Sequence, residues 1–329
     1  CYFTEEAIRR IADFEKKEDA YLFNFGYQGM VSTIDALLNR RDVVVYDSQA
    51  HACIMDGMRL HMGQRIVYPH NDLEKCEKAL ERATRLTEKT GGGILLITEG
   101  VYGMTGALGF LDQIVSLKKK FDFRILIDDA HGFGVMGENG RGTSEHFHVM
   151  DQVDLYFGAF AKSMAGIGGF IAGPAEIINY LRYNLRSQIY AKSLPLAMVE
   201  GLLKRLDMIR TRPELREKLW LITRSLQNGL RKNGFDIGAA EACVTPVFLK
   251  GELAEATNIL IDLRENYRIF CSVVVYPVVP REVIMFRLIP TAMHDPEHVT
   301  YTLRAFSEIQ EKLKEGKYKG NEIKNMAIH

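Results

Sequence analysis

Apolar and polar positions alternate along the chain with two different periods. Short runs rich in Val, Ile and Leu, such as "VVVYD", "RIVYP", "GILLITEG", "RILIDDAH" and "DLYFGAF", are separated by longer segments. Several of those segments, among them "HACIMDGMRLH", "DLEKCEKALERATRL" and "LDQIVSLKKKF", carry apolar residues at helical spacing. Apolar strands that alternate with helices are typical of a mostly parallel sheet covered on both faces. The pattern therefore predicts an α/β fold.

The second half of the chain has a different pattern. Residues 181–233 are largely helical, with a break at "TRPEL", and the segments "TPVFLKG", "IFCSVVVYP" and "VIMFRLIPT" that follow resemble strands interleaved with helices. We therefore expect two domains. The first is a large domain over residues 1–205, and the second is a smaller α+β domain over residues 206–329 that includes the connecting helix. The polar tail after Lys317 is expected to be loose.

Composition and charge exclude several classes of protein. Lys+Arg and Asp+Glu balance at 42 each among 329 residues, so no overall basic field attracts nucleic acid or a membrane surface. The five cysteines lack CxxC spacing, which argues against a zinc site and against disulfides and favours the cytoplasm. We expect no metal, no nucleic-acid partner and no integral membrane segment. Because the chain starts inside a helical pattern without Met, we also expect a preceding N-terminal segment.

Lys162 is the first candidate for chemistry. It follows the apolar run "YFGAFA" and precedes the small residues of "SMAGIGGF". A lysine near the mouth of a parallel sheet can be desolvated, which lowers its pKa and makes its amine available for a Schiff base. An ordinary surface lysine at a strand end is the alternative, and this residue alone does not decide between them.

Asp128, Asp129 and His131 stand at the end of a very apolar strand, before a glycine-rich run. A carboxylate buried there needs a cationic partner. The protonated nitrogen of a pyridine ring would serve, because an aspartate at that nitrogen strengthens pyridoxal phosphate as an electron sink. His131 would then be placed to bond the phenolic oxygen of the ring. A capping aspartate and a packed histidine are the alternative.

Two further segments fit a bound aromatic cofactor. His51 follows another predicted strand end, after Ser48, which we expect to cap the next helix. Its imidazole would lie against a cofactor ring, although a lone histidine is often structural. Gly26 and Tyr27 precede a helix, and backbone N–H groups at a helix N-terminus bind phosphate well. An ordinary glycine turn before a helix is the alternative.

Taken together, these segments resemble one family, the α-oxoamine synthases, which are fold-type I pyridoxal phosphate enzymes. The resemblance is carried by "DDAHGFGVMGENGRG" and "FAKSMAGIGGF". It extends in order through "FGYQGM", "DSQAHACIMDG", "YPHND", "TEGVYGMTG", "SQIYAKSLP" and "FRLIPTAMHDPEHV". It implies an aspartate aminotransferase-like, cofactor-binding large domain with a mostly parallel sheet, and a smaller C-terminal α+β domain.

The resemblance also implies a role for each matching residue. Lys162 would form the Schiff base with pyridoxal 5'-phosphate, and His51 would stack on its ring. Asp128 would pair with the ring nitrogen, and His131 would bond the phenolic oxygen. The remaining implied contacts are backbone donors to the phosphate at Gly26 and Tyr27, the substrate carboxylate at Arg287, and the phosphate of a partner subunit at Ser193.

Two positions depart from the family pattern. Gly103 in "VYGMTG" stands where many members have serine, which removes a polar contact near the ring. Ala159 stands where many have threonine, three residues before Lys162, and this removes a hydroxyl expected at the phosphate. Neither change removes a residue that the chemistry needs.

The implied activity is a decarboxylative acyl transfer from an acyl-CoA to a small amino acid, in a homodimer with shared active sites. Serine and a long-chain acyl-CoA are favoured, with a role in sphingolipid biosynthesis. The reason is that "YQGMVSTIDALL" and "DSQAHACIMDGMRL" look most like serine palmitoyltransferases. Glycine C-acetyltransferase activity, 8-amino-7-oxononanoate synthase activity, a weakly catalytic partner subunit and transamination are the alternatives.

Overall fold

The computed structural model describes residues 2–276 and 278–319, so the predicted loose tail lies outside the described residues from residue 320 onward. In chain order the α-helices are α1 (Tyr2–Glu15), α2 (Gly26–Leu37), α3 (Ala52–Leu60), α4 (Leu73–Thr90), α5 (Leu111–Ser116), α6 (Thr143–His146), α7 (Ala175–Asn184), α8 (Arg186–Ile189), α9 (Leu196–Thr211), α10 (Pro213–Lys232), α11 (Leu253–Glu265) and α12 (Pro296–Lys314). The strands are β1 (Asp19–Phe23), β2 (Val43–Asp47), β3 (Gln64–Tyr68), β4 (Ile94–Glu99), β5 (Arg124–Asp128), β6 (Leu155–Ala159), β7 (Gly169–Gly173), β8 (Thr245–Lys250), β9 (Ser272–Val274) and β10 (Val283–Leu288).

A seven-stranded sheet with the order β1-β7-β6-β5-β4-β2-β3 organises the first half of the chain. The pairs β2–β3, β2–β4, β4–β5 and β5–β6 are parallel, while β7 runs antiparallel to both β6 and β1. The predicted α/β fold with a mostly parallel sheet is confirmed. Strand β7 was not predicted, because glycines at both ends of "GFIAG" make it resemble a turn.

Helices cover both faces of this sheet, as the apolar strands predict. Val43 and Val45 of β2 belong to one buried cluster, which also includes residues of α1, α4 and α9. Val44, between them, belongs to a second cluster with residues of α2, α3 and α7. Successive strand residues point to opposite faces, so the two clusters lie on the two sides of the sheet. The strands are therefore held rigidly, and their carboxyl ends are fixed platforms for side chains.

The chain divides into two compact units. The first comprises Cys1–Tyr102 and Leu108–Pro213, and the second comprises Gly103–Ala107 and Glu214–His329. In the second unit, an antiparallel sheet of order β8-β10-β9 packs with α10, α11 and α12 around buried apolar side chains that include Phe286 and Phe306. The smaller α+β sheet is as predicted, whereas the predicted domain division after residue 205 stays a prediction.

Candidate active site

Three neighbouring parallel strands end in buried carboxylates. Asp47 is the last residue of β2, Glu99 of β4 and Asp128 of β5, and Glu99 and Asp128 are directly paired in the sheet register. All three side chains are almost fully inaccessible. Ligands of open α/β sheets bind outside the carboxyl ends of the strands. The edge of the sheet that is suited to a ligand is therefore strongly acidic.

Asp128 is held by two uncharged donors. Its Oδ1 accepts the backbone N–H of Ala130 at 3.1 Å, and its Oδ2 lies 3.7 Å from the thiol of Cys53. Burial raises the pKa of Asp128, although the hydrogen bonds from Ala130 and Cys53 and the charge of Lys162 act in the opposite direction. A protonated ring nitrogen placed against this carboxylate would stabilise its charged form.

Asp129 has a different role from its neighbour. Its Oδ2 accepts the backbone N–H of Thr143 at 2.6 Å and the hydroxyl of Tyr156 at 2.9 Å. The side chain is fully buried, and burial raises the pKa of Asp129 to about 6. Asp129 therefore anchors the glycine-rich segment after β5 to β6, whereas Asp128 makes neither of these two bonds.

His51 is the N-cap of α3. Its Nδ1 accepts the backbone N–H of Cys53 at 3.2 Å, and its own backbone N–H donates to Glu99 Oε1 at 2.6 Å. The prediction that Ser48 caps this helix was wrong, because residues 48–50 form a tight turn after β2 and the helix begins only after His51. With Nδ1 as an acceptor, the neutral ring carries its proton on Nε2.

Lys162 follows the end of β6, as predicted, and its side chain is exposed. Its positive charge acts on the carboxylate of Asp128 and lowers the pKa of that group. The next residue, Ser163, donates from its hydroxyl to the backbone carbonyl of Phe133 at 2.6 Å. This bond connects the turn that carries Lys162 to the segment that follows Asp128. The backbone segments that carry the amine and the carboxylate are therefore held together.

The first turn of α2 lies beside the same strand end. A Cβ atom added to Gly26 would lie 3.5 Å from the Cβ of Ala159, the last residue of β6, and 3.6 Å from the carbonyl oxygen of Gly168. No side chain caps α2 at Phe25. The N–H groups of this first turn are therefore suited to an anion. The neighbouring Ala159 is three residues before Lys162.

Tyr27, the second residue of α2, approaches His51. The two ring centroids are 6.3 Å apart in an edge-to-face arrangement. The hydroxyl of Tyr27 donates to Asp56 of α3, whose other carboxylate oxygen accepts from Arg59 at 2.6 Å. These contacts join the starts of α2 and α3, which carry the predicted phosphate donors and the predicted stacking histidine.

The structure gives less support to the roles of two other candidates in this unit. His131 lies half-buried in the turn after β5, three residues beyond Asp128. Ser193 lines a small cleft with Thr4, Tyr21 and Asn24 of its own chain. Its predicted contact with the phosphate of a partner subunit stays a prediction.

Arg287 belongs to the second unit, in the middle strand of the small sheet. Its guanidinium donates to the carbonyl of Gly103, the position where the family serine is replaced. Its Nε is buried and has no hydrogen-bond partner among the described residues. Burial lowers the pKa of Arg287, which is a further cost of leaving this group without an anion. An acidic ligand would accept a hydrogen bond from Nε and would also balance the buried positive charge.

Sequence reasoning assigned no role to Glu99 or Cys53. Glu99 lies in "TEG", which the strand pattern places at the carboxyl edge, and Cys53 lies two residues after His51. Glu99 contacts His51, which is 48 positions away in the sequence, and Cys53 contacts Asp128, which is 75 positions away. No local sequence pattern reveals such contacts.

The family model described as aminotransferase class I and II matches residues 2–306. The chain belongs to this family. It is 59% identical over 315 residues to the cysteate-C-fatty acyltransferase of Capnocytophaga ochracea, a match that covers 96% of this chain and 75% of that protein. It is 35% identical over 309 residues to the serine palmitoyltransferase of Sphingobacterium spiritivorum, covering 93% and 76% of the two chains.

A solved structure of a related enzyme has the same fold as this chain. A serine palmitoyltransferase from S. paucimobilis with a bound PLP–myriocin aldimine superposes with a TM-score of 0.89 at 26% identity, covering 95% of this chain and 78% of that one. Within the aminotransferase family, the chain is thus an α-oxoamine synthase and a pyridoxal phosphate-dependent acyltransferase, as the resemblance implied.

The residues present fit pyridoxal phosphate. Asp128 is a buried carboxylate with uncharged donors and is suited to a protonated ring nitrogen. The uncapped start of α2 suits the phosphate, and Lys162 offers an exposed amine at the adjacent strand end. The described residues contain no group of three or more His, Cys, Asp or Glu side chains arranged to hold a metal ion.

Proposed function

We propose that this chain condenses cysteate with a fatty acyl-CoA to give an α-oxoamine, with loss of carbon dioxide. The observation that carries the proposal is its 59% identity, over 96% of the chain, to a cysteate-C-fatty acyltransferase, against 35% to a serine palmitoyltransferase. The preferred amino acid therefore changes from serine, which the sequence favoured, to cysteate. The long acyl chain is retained, and a role in sphingolipid biosynthesis would follow only if serine is the substrate.

The overall reaction breaks one carbon–carbon bond and one carbon–sulfur bond, and it forms one new carbon–carbon bond. The bond from Cα to the carboxylate breaks with release of carbon dioxide, and the thioester C–S bond breaks with release of the CoA thiol. A bond forms between Cα and the acyl carbonyl carbon, and one proton is taken up from solvent. Bound pyridoxal phosphate supplies the electron sink that stabilises negative charge at Cα.

Lys162 would hold the cofactor through its amine and would move the proton at Cα. Its exposed side chain, on a turn braced by the bond from Ser163, suits both tasks, because an amine that transfers a proton needs freedom to change its position. His131, in the turn after β5, would polarise the acyl carbonyl. Both roles follow from the family resemblance and from the position of each residue at a strand end.

Asp128 and His51 orient the cofactor ring. The carboxylate of Asp128 would keep the proton on the ring nitrogen, which strengthens the electron sink. The ring of His51, fixed through its backbone by Glu99, would stack on one face. The first turn of α2, from Gly26, would bind the phosphate with its N–H groups.

Arg287 would bind the carboxylate of the amino acid. Its planar guanidinium has an unused buried Nε, which allows a bidentate contact with an acid. A lysine cannot reproduce this fork, so Arg287→Lys should raise the KM for the amino acid more than it lowers kcat.

The homodimer and the cytoplasmic location remain predictions. None of the helices in the described part of the chain is both long and apolar enough to cross a bilayer. Sedimentation of the purified protein would test the dimer. A species of one chain's mass, 37.3 kDa, at working concentration would contradict it.

The substrate test offers the purified, cofactor-loaded protein cysteate, serine, glycine and alanine separately, each with palmitoyl-CoA. CoA release gives the rate, and mass spectrometry identifies the product. We expect kcat/KM for cysteate to exceed that for serine by at least about tenfold, since a site built for a charged group discriminates strongly against a neutral one. A higher value with serine would make the chain a serine palmitoyltransferase.

The alternative of a weakly catalytic partner subunit is tested in the same assay. Such a subunit would release no CoA with any of the four amino acids while still binding the cofactor. Lys162→Ala serves as the background variant. Its rate should fall to the rate without enzyme, whereas Lys118→Ala, a lysine that pairs with Asp154, should keep the wild-type rate.

A further inference from the structure

Cys53 lies between two residues of the cofactor site. It is in the first turn of α3 and is 3% exposed. Its sulfur is 3.0 Å from Nδ1 of His51 and 3.7 Å from Oδ2 of Asp128. One thiol thus contacts both the histidine expected on the face of the ring and the carboxylate expected at its nitrogen.

The direction of the thiol hydrogen bond follows from the neighbours. The backbone N–H of Cys53 already donates to Nδ1 of His51 at 3.2 Å, and a neutral imidazole nitrogen has a single lone pair. The acceptor left for the thiol proton is therefore Oδ2 of Asp128. Burial raises the pKa of Cys53, with a further contribution from the charge of Asp128, so the thiol keeps its proton at neutral pH and acts as a donor.

This bond completes the support of Asp128. The backbone N–H of Ala130 donates to Oδ1 and the thiol of Cys53 donates to Oδ2, so each oxygen has one donor within the protein. A carboxylate with one donor on each oxygen has a fixed plane. The lone pairs that remain point along defined directions.

We propose that Cys53 is a positioning residue: its thiol fixes the Asp128 carboxylate, and its backbone N–H holds the His51 ring, in the arrangement that binds the cofactor ring. The proposal rests on the cofactor site described above and adds to it a residue that acts through its two neighbours. Serine at this position has a hydroxyl that can donate the same bond, whereas alanine cannot.

The first measurement needs no cofactor. The protein is labelled with carbon-13 in its aspartate carboxyl groups, and the Asp128 resonance is identified by its loss in Asp128→Asn. We expect Asp128 to titrate about half to one pH unit higher in Cys53→Ala, because a donor to its charged form is lost. In Cys53→Ser the titration should match that of the wild type.

The second measurement uses the cofactor. The dissociation constant of pyridoxal phosphate should rise roughly three- to tenfold in Cys53→Ala and change less than about twofold in Cys53→Ser. Cys76→Ala is the matched control, since Cys76 is equally buried but packs in the apolar cluster with α1 and α9. It should lower the melting temperature without changing either the Asp128 titration or the cofactor affinity.

The outcomes separate this inference from the proposed function. An unchanged Asp128 titration in Cys53→Ala overturns the role of Cys53, whether or not the cofactor binds. So does a loss of affinity shared equally by Cys53→Ala and Cys76→Ala, because that would reflect general destabilisation. If wild-type protein binds no pyridoxal phosphate, the cofactor site itself is wrong, and that result is independent of the carboxyl titration.

Discussion

Glu99 Oε1 accepts the backbone N–H of His51 at 2.6 Å, although the two residues are 48 positions apart in the sequence. Glu99 ends β4 in the middle of the sheet, and His51 is the N-cap of α3. The start of a helix is therefore attached to the most rigid part of the fold. This contact sets the position of the imidazole without touching its ring.

Removing the acceptor should loosen His51. We expect Glu99→Ala to weaken binding of pyridoxal phosphate by about tenfold, since a hydrogen bond to a charged group contributes about 1.5–3 kcal/mol. Glu99→Gln keeps a carbonyl oxygen and should retain most of the affinity. Fluorescence titration with the cofactor measures both variants. Equal affinities in Glu99→Ala and the wild type would show that the contact does not position the ring.

Asp129 should make stability depend on pH. Its pKa is raised to about 6 in the folded protein, against about 3.9 in an unfolded chain. The folded state therefore binds more protons between about pH 4 and pH 6, and its stability falls as the pH rises through that range. The wild type should lose stability relative to Asp129→Asn over this interval. Urea unfolding of both proteins at several pH values gives the difference, and a constant difference would contradict the prediction.

The pair of Asp47 and His70 should act in the opposite direction. Burial alone would raise the pKa of Asp47, but hydrogen bonds from His70 and from the N–H groups of Gln49 and Asn71 outweigh it, and the net pKa is lowered. Its contribution to stability is present above about pH 4 and is lost as the pH falls through the folded pKa. Asp47→Asn should cost about 1–3 kcal/mol at neutral pH.

Acid unfolding checks this expectation. The stability difference between the wild type and Asp47→Asn should shrink below about pH 4, where the wild-type carboxylate becomes protonated. His70→Gln, which can still donate one hydrogen bond to Asp47, should fall between the two. A difference that grows in acid would mean that Asp47 is not ionised in the folded protein.

Gly142 should not tolerate a side chain. Its φ is +91°, and an added Cβ would overlap Oδ2 of Asp129 and the hydroxyl of Tyr156. We expect Gly142→Ala to destabilise the protein by about 2–4 kcal/mol, through backbone strain together with disruption of the Asp129 anchor. Gly234 has a similar φ of +80° but has open space around its Cβ position. Gly234→Ala should cost about 1 kcal/mol, and equal costs for the two in thermal unfolding would exclude the overlap as the cause.

The sequence was sufficient to locate the ends of the buried strands. The strands before Asp128 and Lys162 are apolar runs, so their ends, and the candidates that stand there, were recognisable from the pattern. The parallel sheet then brings these ends to one edge. The pairing of Glu99 and Asp128 in register follows from that topology.

The sequence was insufficient where tertiary contacts override local preference. Ser48 has the chemistry of a helix cap, yet the bond to Glu99 and the turn after β2 make His51 the cap. The two aspartates after β5 look alike in sequence. Only their hydrogen-bond donors distinguish Asp129, which accepts from Tyr156, from Asp128, which accepts from Ala130 and Cys53.

The central claim, that pyridoxal phosphate is held by Lys162, has a direct chemical test. The cofactor-loaded protein is reduced with borohydride, digested with trypsin and analysed by mass spectrometry. We expect the phosphopyridoxyl group on Lys162, in the peptide 142–182 that trypsin leaves uncut at the modified lysine. The group should be absent after the same treatment of Lys162→Ala. Stoichiometric modification of a different lysine, with Lys162 unmodified, would contradict the account.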